Sequence, residues 1–180
     1  MAEALLIIDY QNDFIPPEGA LAVQGGDRIV DRVNELARDP RFDLVVATRD
    51  WHPADHKSFA EQGGPWPVHC VQGSHGADFS PALETDRIDA VVDAGQEPEL
   101  EGYSGFEETN LRDLLRERGI DKVTVVGLAT DYCVKHTALD ALRDGLQVEV
   151  DTSAVRAVEV EPGDSERALD ELRAAGATIT

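Results

Sequence analysis

The stretch VVGLATDYCV, residues 125–134, decides the fold class. Its first half is apolar and branched, which is typical of a buried strand, and the apolar residues that follow it return at helical spacing. Thr130 or Asp131 is placed to cap the helix, and Cys133 falls in its first turn. The stretch therefore predicts a strand that turns directly into a helix, with a cysteine at the junction.

The same alternation of strand and helix continues on both sides of this stretch. Gly119, Gly145 and Gly176 each stand between a predicted helix and the next strand, where glycine commonly ends helices. The alternation predicts an α/β fold, a single-domain doubly wound sheet of about six mostly parallel strands flanked by helices, over residues 1–180. The predicted strands are 5–9, 44–48, 90–93, 122–128, 147–150 and 177–179, and the predicted helices are 27–37, 108–118, 131–144 and 164–175.

One long segment breaks this rhythm. Residues 50–88 are rich in Gly, Pro, His and Trp and show little periodicity. Loops of this length inside a compact domain usually carry function. We therefore expect part of the functional site to lie in this segment.

The charge balance excludes two classes of partner. The chain has 36 Asp and Glu against 16 Lys and Arg, for a formal net charge of -20. Such a surface repels phosphate backbones and anionic lipids, so we expect neither nucleic acid nor membrane as a partner. Two cysteines are too few for a secreted disulfide framework, and the first residues contain neither a basic leader nor a long apolar run. These features predict a cytoplasmic protein.

Cys133 is a candidate nucleophile. The free amide groups and the dipole of a helix N-terminus favour a thiolate, and the same amides can hold the oxyanion of a tetrahedral intermediate. A buried structural thiol is the alternative interpretation. Cys70 lies in the irregular segment without such a helix, and we interpret it as structural.

Asp9 is a candidate general base. It ends the predicted strand 5–9 directly after the apolar residues 5–8, and in an open α/β sheet the ligand crevice lies beyond the carboxyl ends of the strands. A carboxylate in such a partly dry position can accept a proton from a nucleophile. The alternative is an aspartate that only initiates the following turn.

The irregular segment contains a candidate metal site. Asp50, His52 and His56 lie within seven residues, and His69 can return to them from the far side of a short loop. Three imidazoles and one carboxylate suit a divalent Zn, Fe or Mn ion and leave room for water or substrate. The alternative is a polar loop with unrelated histidines.

Taken together, these stretches resemble the nicotinamidase/pyrazinamidase branch of the isochorismatase-like cysteine hydrolases, over nearly the whole chain. The pattern Asp-x-His-x-x-x-His followed by Trp-Pro-x-His separates that branch from relatives of the same fold without the metal. The matching stretches are 8–14, 19–23, 48–52, 66–71, 76–79, 103–106 and 127–134.

The resemblance implies hydrolysis of nicotinamide to nicotinate and ammonia, a step of NAD salvage, with nicotinamide and similar aromatic amides as ligands. It makes Asp9 the base and Cys133 the nucleophile, and it leaves a homo-oligomer open. It also implies a cis Leu128–Ala129 bond, and an oxyanion hole from the amides of Ala129 and Cys133. The implied metal ligands are Asp50, His52, His56 and His69, and the implied ring-binding residues are Phe14, Trp66, Tyr103 and Leu128.

One position departs from the family pattern. The family has a lysine shortly before Tyr-Ser-x-Phe, which completes an Asp-Lys-Cys triad, but here Ala94 stands in its place. Lys57, Lys122 and Lys135 are the only lysines, and none is expected to replace it. We therefore expect an impaired enzyme. Two alternatives remain: a catalytically silent protein that binds nicotinamide and metal, or a cysteine amidohydrolase with another amide substrate.

Overall fold

A six-stranded, wholly parallel sheet forms the centre of the molecule. The computed structural model describes residues 1–180. The fold class predicted from the sequence is confirmed. The strands are β1 (Ala2–Ile8), β2 (Leu44–Asp50), β3 (Ala90–Ala94), β4 (Ile120–Leu128), β5 (Gln147–Arg156) and β6 (Thr178–Ile179).

Four α-helices connect the strands, close to their predicted positions. A 3-10 turn leads into the first helix, and a π-helical turn, Thr130–Val134, leads into the third. The helices are α1 (Val30–Ala37), α2 (Leu111–Glu117), α3 (Lys135–Arg143) and α4 (Asp164–Ala175). No helix is long and apolar enough to cross a membrane.

The strand order is β3-β2-β1-β4-β5-β6, so the direction of winding reverses between β1 and β4. In doubly wound sheets, ligands bind in the crevice beyond the carboxyl ends of the strands at such a reversal. Asp9 follows β1 and Cys133 follows β4. The topology alone therefore brings these two residues, 124 positions apart in the chain, to one crevice.

The two faces of the sheet have separate cores. Leu6 and Ile8 of β1 face the core covered by α2, α3 and α4. Leu5 and Ile7 face the opposite core, where only α1 packs as a regular helix. Residues of the irregular segment, among them Cys70, complete this second core. The segment between β2 and β3 thus replaces a second helix on that face.

Three details differ from the predicted elements. Strand β5 continues to Arg156 instead of ending at residue 150, because it pairs again with β4 after a register shift between Val125 and Gly127. Gly127 has φ of 111°, and a Cβ there would lie 2.2 Å from the carbonyl oxygen of Ile8. Only glycine allows this close approach of β4 to β1. Asp9 lies just past β1, not within it, and Cys133 occupies a π turn in place of the predicted α-helical first turn.

Tyr10 fastens the chain after β1 to the segment that precedes α1. Its hydroxyl donates a hydrogen bond of 2.7 Å to the carbonyl oxygen of Gly26, and both residues are buried. Replacing Tyr10 with Phe would leave that carbonyl without its partner. The cost of such a loss is set by the desolvation of the unpaired group.

We expect Tyr10→Phe to lower the free energy of unfolding by about 1–3 kcal/mol. Chemical denaturation measures the change. Tyr132→Phe is the matched control, because no hydrogen bond of the Tyr132 hydroxyl is present and the same atom is removed. Equal stabilities for the two variants would contradict the assigned role of Tyr10.

Candidate active site

Asp9 is held in place by Thr48 of the neighbouring strand. The hydroxyl of Thr48 donates to the Asp9 carboxylate at 2.7 Å, and the amide of Asp9 approaches the same hydroxyl oxygen at 3.2 Å. Asp9 has a left-handed φ of 51°, which turns the chain out of β1. Thr48 was missed by the sequence analysis, since a threonine inside a strand carries no functional signal without the fold.

Cys133 lies beside this carboxylate. Its Sγ and carboxylate oxygens of Asp9 and Asp50 all lie within 4.8 Å of one another. Burial and the charge of Asp9 raise the pKa of the Cys133 thiol well above its usual range. Three acidic groups share one buried space, so burial and the neighbouring carboxylates both disfavour a thiolate at Cys133.

The same crowding acts on Asp9. Burial first, and the charge of Asp50 second, raise the pKa of Asp9 well above its ordinary value, against the opposing hydrogen bond from Thr48. Ala94 ends β3 opposite Asp50 in the strand register and is buried. No cation therefore stands beside Asp9 and Cys133 on that side.

No lysine of the chain reaches the crevice. Lys122 pairs with Glu149 at 2.7 Å on the sheet, and Lys135 pairs with Glu171 at 3.3 Å on the outer side of the helices. Lys57 is exposed. The walls of the cavity in front of Cys133 contain no lysine or arginine. This agrees with the expectation that nothing replaces the missing lysine.

Asp50, His52 and His69 form a compact cluster with the geometry of a metal site. Their ligating atoms lie within 4.8 Å of one another, with His52 Nε2 at 3.3 Å and His69 Nε2 at 3.7 Å from the Asp50 carboxylate. The Nδ1 atoms of His52 and His69 face the carbonyl oxygens of Gly95 and Pro67 at 2.8 and 2.7 Å. Since a carbonyl only accepts, each Nδ1 carries a proton, and in the neutral form of each ring Nε2 has the lone pair that a metal ligand needs. The cluster is thus prepared for a divalent metal.

Burial disfavours the charged forms of these side chains, but the attraction between Asp50 and the two histidines is stronger. Despite burial, His52 and His69 lower the pKa of Asp50 below its ordinary value. Burial lowers the pKa of His52, and Asp50 more than offsets this, so the net direction is upward. Asp50 is therefore anionic, as a metal ligand must be.

His56 lies beside the cluster but is not part of it. Its ring packs against that of His52 with a centroid distance of 3.9 Å and a tilt of 33°, and its Nδ1 contacts the Ser58 hydroxyl at 2.7 Å. Its Nε2 is buried without any hydrogen-bond partner. Burial and the neighbouring His52 lower the pKa of His56 to about 4, so the ring is neutral. The prediction of four ligands thus finds three gathered, with a free imidazole nitrogen beside them.

Gln11 holds this end of the sheet together. Its amide nitrogen donates to the carbonyls of Asp50 and Ala77 at 2.8 and 2.9 Å, and its oxygen accepts the amide of Asp50 at 2.9 Å. Gln11 is fully buried. The sequence analysis missed this role, and the only signal was its place two residues after Asp9.

Aromatic side chains wall the cavity in front of Cys133. Phe14, Trp66, Tyr103 and Leu128 line it, and so do Ala129 and Cys133. Trp66 Nε1 donates to the Tyr103 hydroxyl at 3.1 Å, which links the segment after β2 to the segment after β3. Tyr132, which the sequence analysis did not name, packs edge-on against Trp66, with a distance of 5.0 Å between the two ring centroids. The Leu128–Ala129 bond is cis, as the resemblance implied.

Asp131 does not cap the helix, and neither does Thr130. Neither side chain bonds to an amide of its own helix. The Asp131 carboxylate instead accepts the amides of Val158 and Glu159, both at 2.9 Å. These two amides follow β5 and would otherwise be unpaired. Asp131 thereby holds Val158 in the wall of the cavity.

A buried thiol beside a carboxylate, at the reversal point of a parallel α/β sheet, defines a cysteine hydrolase site. The chain belongs to the isochorismatase family, because the family model for the isochorismatase domain matches residues 3–180.

Several relatives resemble the chain along nearly its whole length. The nicotinamidase of Escherichia coli is 45% identical over 98% of this chain and 93% of its own. The pyrazinamidase of Pyrococcus horikoshii, solved in complex with zinc, is 47% identical with a TM-score of 0.91, covering 100% of this chain and 99% of its own. The PnC1 protein of L. infantum, solved with nicotinate, is 38% identical with a TM-score of 0.95, covering 99% and 92%.

We expect His69→Ala to weaken divalent metal binding by more than about a hundredfold, since losing even an outer-shell partner of a ligand costs about 10- to 100-fold. Titration with Zn²⁺, followed by calorimetry, measures the affinity. His75→Ala is the control, because His75 lies in a separate turn outside the cluster. Unchanged zinc affinity in His69→Ala would refute the three-residue site.

The ionisation of Asp9 should also make the stability of the folded protein depend on pH. Its pKa is raised in the folded protein, so the folded state binds the proton more tightly than the unfolded chain does. The free energy of unfolding must then fall as the pH rises from the pKa of Asp9 in the unfolded chain toward its pKa in the folded protein. Asp9→Asn removes the ionisable group, and with it this fall in the free energy of unfolding.

We therefore expect metal-free Asp9→Asn to gain stability relative to the parent protein, and to gain more at pH 8 than at pH 4. Urea denaturation at both pH values, with EDTA present, measures the difference. Asp113→Asn, at an exposed position of α2, is the control. A gain that is the same at both pH values would argue against a raised pKa of Asp9.

Proposed function

We propose that the protein is a nicotinamidase, which hydrolyses nicotinamide to nicotinate and ammonia. One observation carries the proposal: a buried Asp9–Cys133 pair and an Asp50–His52–His69 cluster adjoin the same aromatic-walled cavity. The similarity to enzymes named nicotinamidase, over nearly the full length of the chain, supports the same reaction. Pyrazinamide and other aromatic ring amides belong to the same substrate class.

The first half of the reaction forms a thioester. The ring lies among Phe14, Trp66, Tyr103 and Leu128, with its carboxamide toward Cys133. Asp9 accepts the thiol proton, and the sulfur adds to the amide carbon. The amides of Ala129 and Cys133 stabilise the oxyanion.

The second half releases the acid. Asp9 returns its proton to the nitrogen, the carbon–nitrogen bond breaks and ammonia leaves. The same carboxylate then removes a proton from a water molecule, which attacks the thioester. Nicotinate departs and Cys133 regains its proton, so that Asp9 serves in turn as base and acid.

Asp50, His52 and His69 would hold a divalent Zn, Fe or Mn ion, with His56 beside them as a further nitrogen donor. The unpaired, buried Nε2 of His56 and the two oriented Nε2 lone pairs fit such an ion. When bound, the ion supplies an anchor for the pyridine nitrogen and thus orients the ring. The zinc in the similar P. horikoshii pyrazinamidase supports zinc among these metals.

The absence of a lysine at position 94 weakens this machinery. A buried ammonium group would keep Asp9 ionised, favour the thiolate and stabilise charge on the substrate oxygen. Without it, burial and the charge of Asp50 raise the pKa of Asp9, which disfavours the carboxylate form that accepts the proton of Cys133. We infer an enzyme that turns over slowly.

A second candidate function follows from the same position. A protein that binds nicotinamide and metal without turnover would keep the cavity and the Asp50–His52–His69 cluster and would not need the ammonium group. Ala94 is the observation that favours it. An amidohydrolase for a different amide is less well supported, because the metal cluster would then have no role in binding the substrate.

We also propose the setting in which the reaction occurs. The whole chain, 1–180, acts as one domain, and the family match over residues 3–180 supports this. Two free thiols suit the reducing cytoplasm, where the reaction would feed NAD salvage. The charge of -20 argues against nucleic acid and membrane partners, and self-association into a homo-oligomer is compatible with the fold.

We expect Ala94→Lys to raise the turnover number by about a hundredfold or more, the scale of one preorganised electrostatic partner. Ammonia release from nicotinamide measures the gain, with metal content checked in each protein. Ala94→Met is the matched control, because it adds a chain of similar length without the charge.

A gain in Ala94→Lys that Ala94→Met does not share would assign the effect to the ammonium charge. Equal and appreciable rates in all three proteins would mean that Asp9 and Cys133 suffice without it. No ammonia from any of them, with nicotinamide still bound, would favour the binding protein.

A further inference from the structure

The segment between β3 and α2 closes into a tight loop before it reaches the cavity. A Cβ on Gly102 would lie 2.4 Å from the Cα of Gly95, so the two ends of the loop are in backbone contact. The carboxylate of Glu107 accepts the amide of Gly102 at 2.8 Å, and the amide of Lys57 donates to the carbonyl of Pro98 at 2.9 Å. The loop is thus tied at its ends and at its middle.

Glu101 stands next to this closure and lines the cavity that leads to Cys133. Its side chain takes part in no ion pair. The ion pairs of the chain lie elsewhere, for example between Arg32 and Glu35 and between Arg173 and Asp170. The other carboxylate in the cavity wall, Asp50, is engaged by His52 and His69. Glu101 is therefore the uncompensated charge of the cavity wall.

The charge of Glu101 acts on the aromatic wall. Burial raises the pKa of Tyr103 to about 12, and Glu101 adds to this rise. Burial and Lys135 lower the pKa of His136, which stacks on Tyr103, and Glu101 opposes that lowering. The charge of the exposed Glu101 thus reaches Tyr103 of the cavity wall, which contains no lysine or arginine.

We propose that Glu101 is a specificity-determining residue, whose carboxylate admits neutral ring amides and disfavours anionic molecules of the same shape, including the carboxylate product. A cleft with one sign of charge focuses that field on an entering ligand. The identity of the ring amide rests on the proposed function, whereas the discrimination by charge does not. With alanine at position 94, an anion in the cavity also finds no lysine as a partner.

A pair of thiol reagents tests this without any substrate. Iodoacetamide is neutral and iodoacetate is an anion of nearly the same shape, and both alkylate a thiolate with loss of iodide. Since both react with the same Cys133, its ionisation cancels in the ratio of the two rates. Peptide mass spectrometry counts the modification at Cys133 separately from the fully buried Cys70.

We expect Glu101→Gln to raise the rate with iodoacetate, relative to iodoacetamide, by about three- to tenfold at low ionic strength, and Glu101→Lys to raise it further. The effect should shrink in about 0.5 M salt, where screening shortens the reach of an exposed charge. Glu99→Gln is the matched control, because Glu99 is exposed on the same loop and does not line the cavity.

An unchanged ratio in both Glu101 variants would overturn the proposal, and so would an equal effect of Glu99→Gln, which would indicate a diffuse surface field. Equilibrium dialysis with labelled nicotinamide separates this inference from the proposed function. A shifted ratio without nicotinamide binding would retain the role of Glu101 and reject the nicotinamidase. Nicotinamide binding without a shifted ratio would reject the role of Glu101 and retain the nicotinamidase.

Discussion

The close approach of the Asp9 carboxylate, the Asp50 carboxylate and the Cys133 sulfur is the constraint on which the site depends. Three groups that become negative on ionisation lie within 4.8 Å in a buried space. The two carboxylates are supported differently. Asp50 is held anionic by His52 and His69, whereas Asp9 interacts mainly with the hydroxyl of Thr48 and the thiol of Cys133. Burial first, and the neighbouring carboxylates second, raise the pKa values of Asp9 and Cys133.

The metal cluster is rigid for a related reason. The second nitrogen of His52 and that of His69 are each bound to a backbone carbonyl, which determines the tautomer and the direction of the ring. Gln11 spans the ends of β1 and β2 and holds the backbone of Asp50 on both of its polar groups. Such support leaves the three side chains little conformational freedom. It also explains why a buried polar cluster persists in a chain of this size.

The comparison of prediction and structure separates two kinds of information. Helix α4 was predicted at its observed bounds, because a regular apolar pattern ends at Gly176. The extension of β5 to Arg156 was not predicted, since its second half pairs only because Gly127 admits a register shift in β4. The capping role expected of Asp131 was wrong, because the chain after β5 returns with two unpaired amides that a helix-local argument does not contain.

The sequence by itself determined the fold class, the pairing of Asp9 with Cys133 as candidates and the grouping of Asp50, His52, His56 and His69 as candidate ligands, because strand periodicity and the position of a residue after a strand are local properties. Only the tertiary structure decided the rest. It left the Nε2 of His56 unpaired beside the Asp50–His52–His69 cluster, gave Thr48 and Gln11 their roles and brought Glu101 to the cavity, because these depend on contacts between segments 39 or more residues apart or on the path of an irregular loop. The raised pKa of Cys133 belongs here too, since it follows from burial and from the charges of Asp9 and Asp50, which only the folded chain brings together.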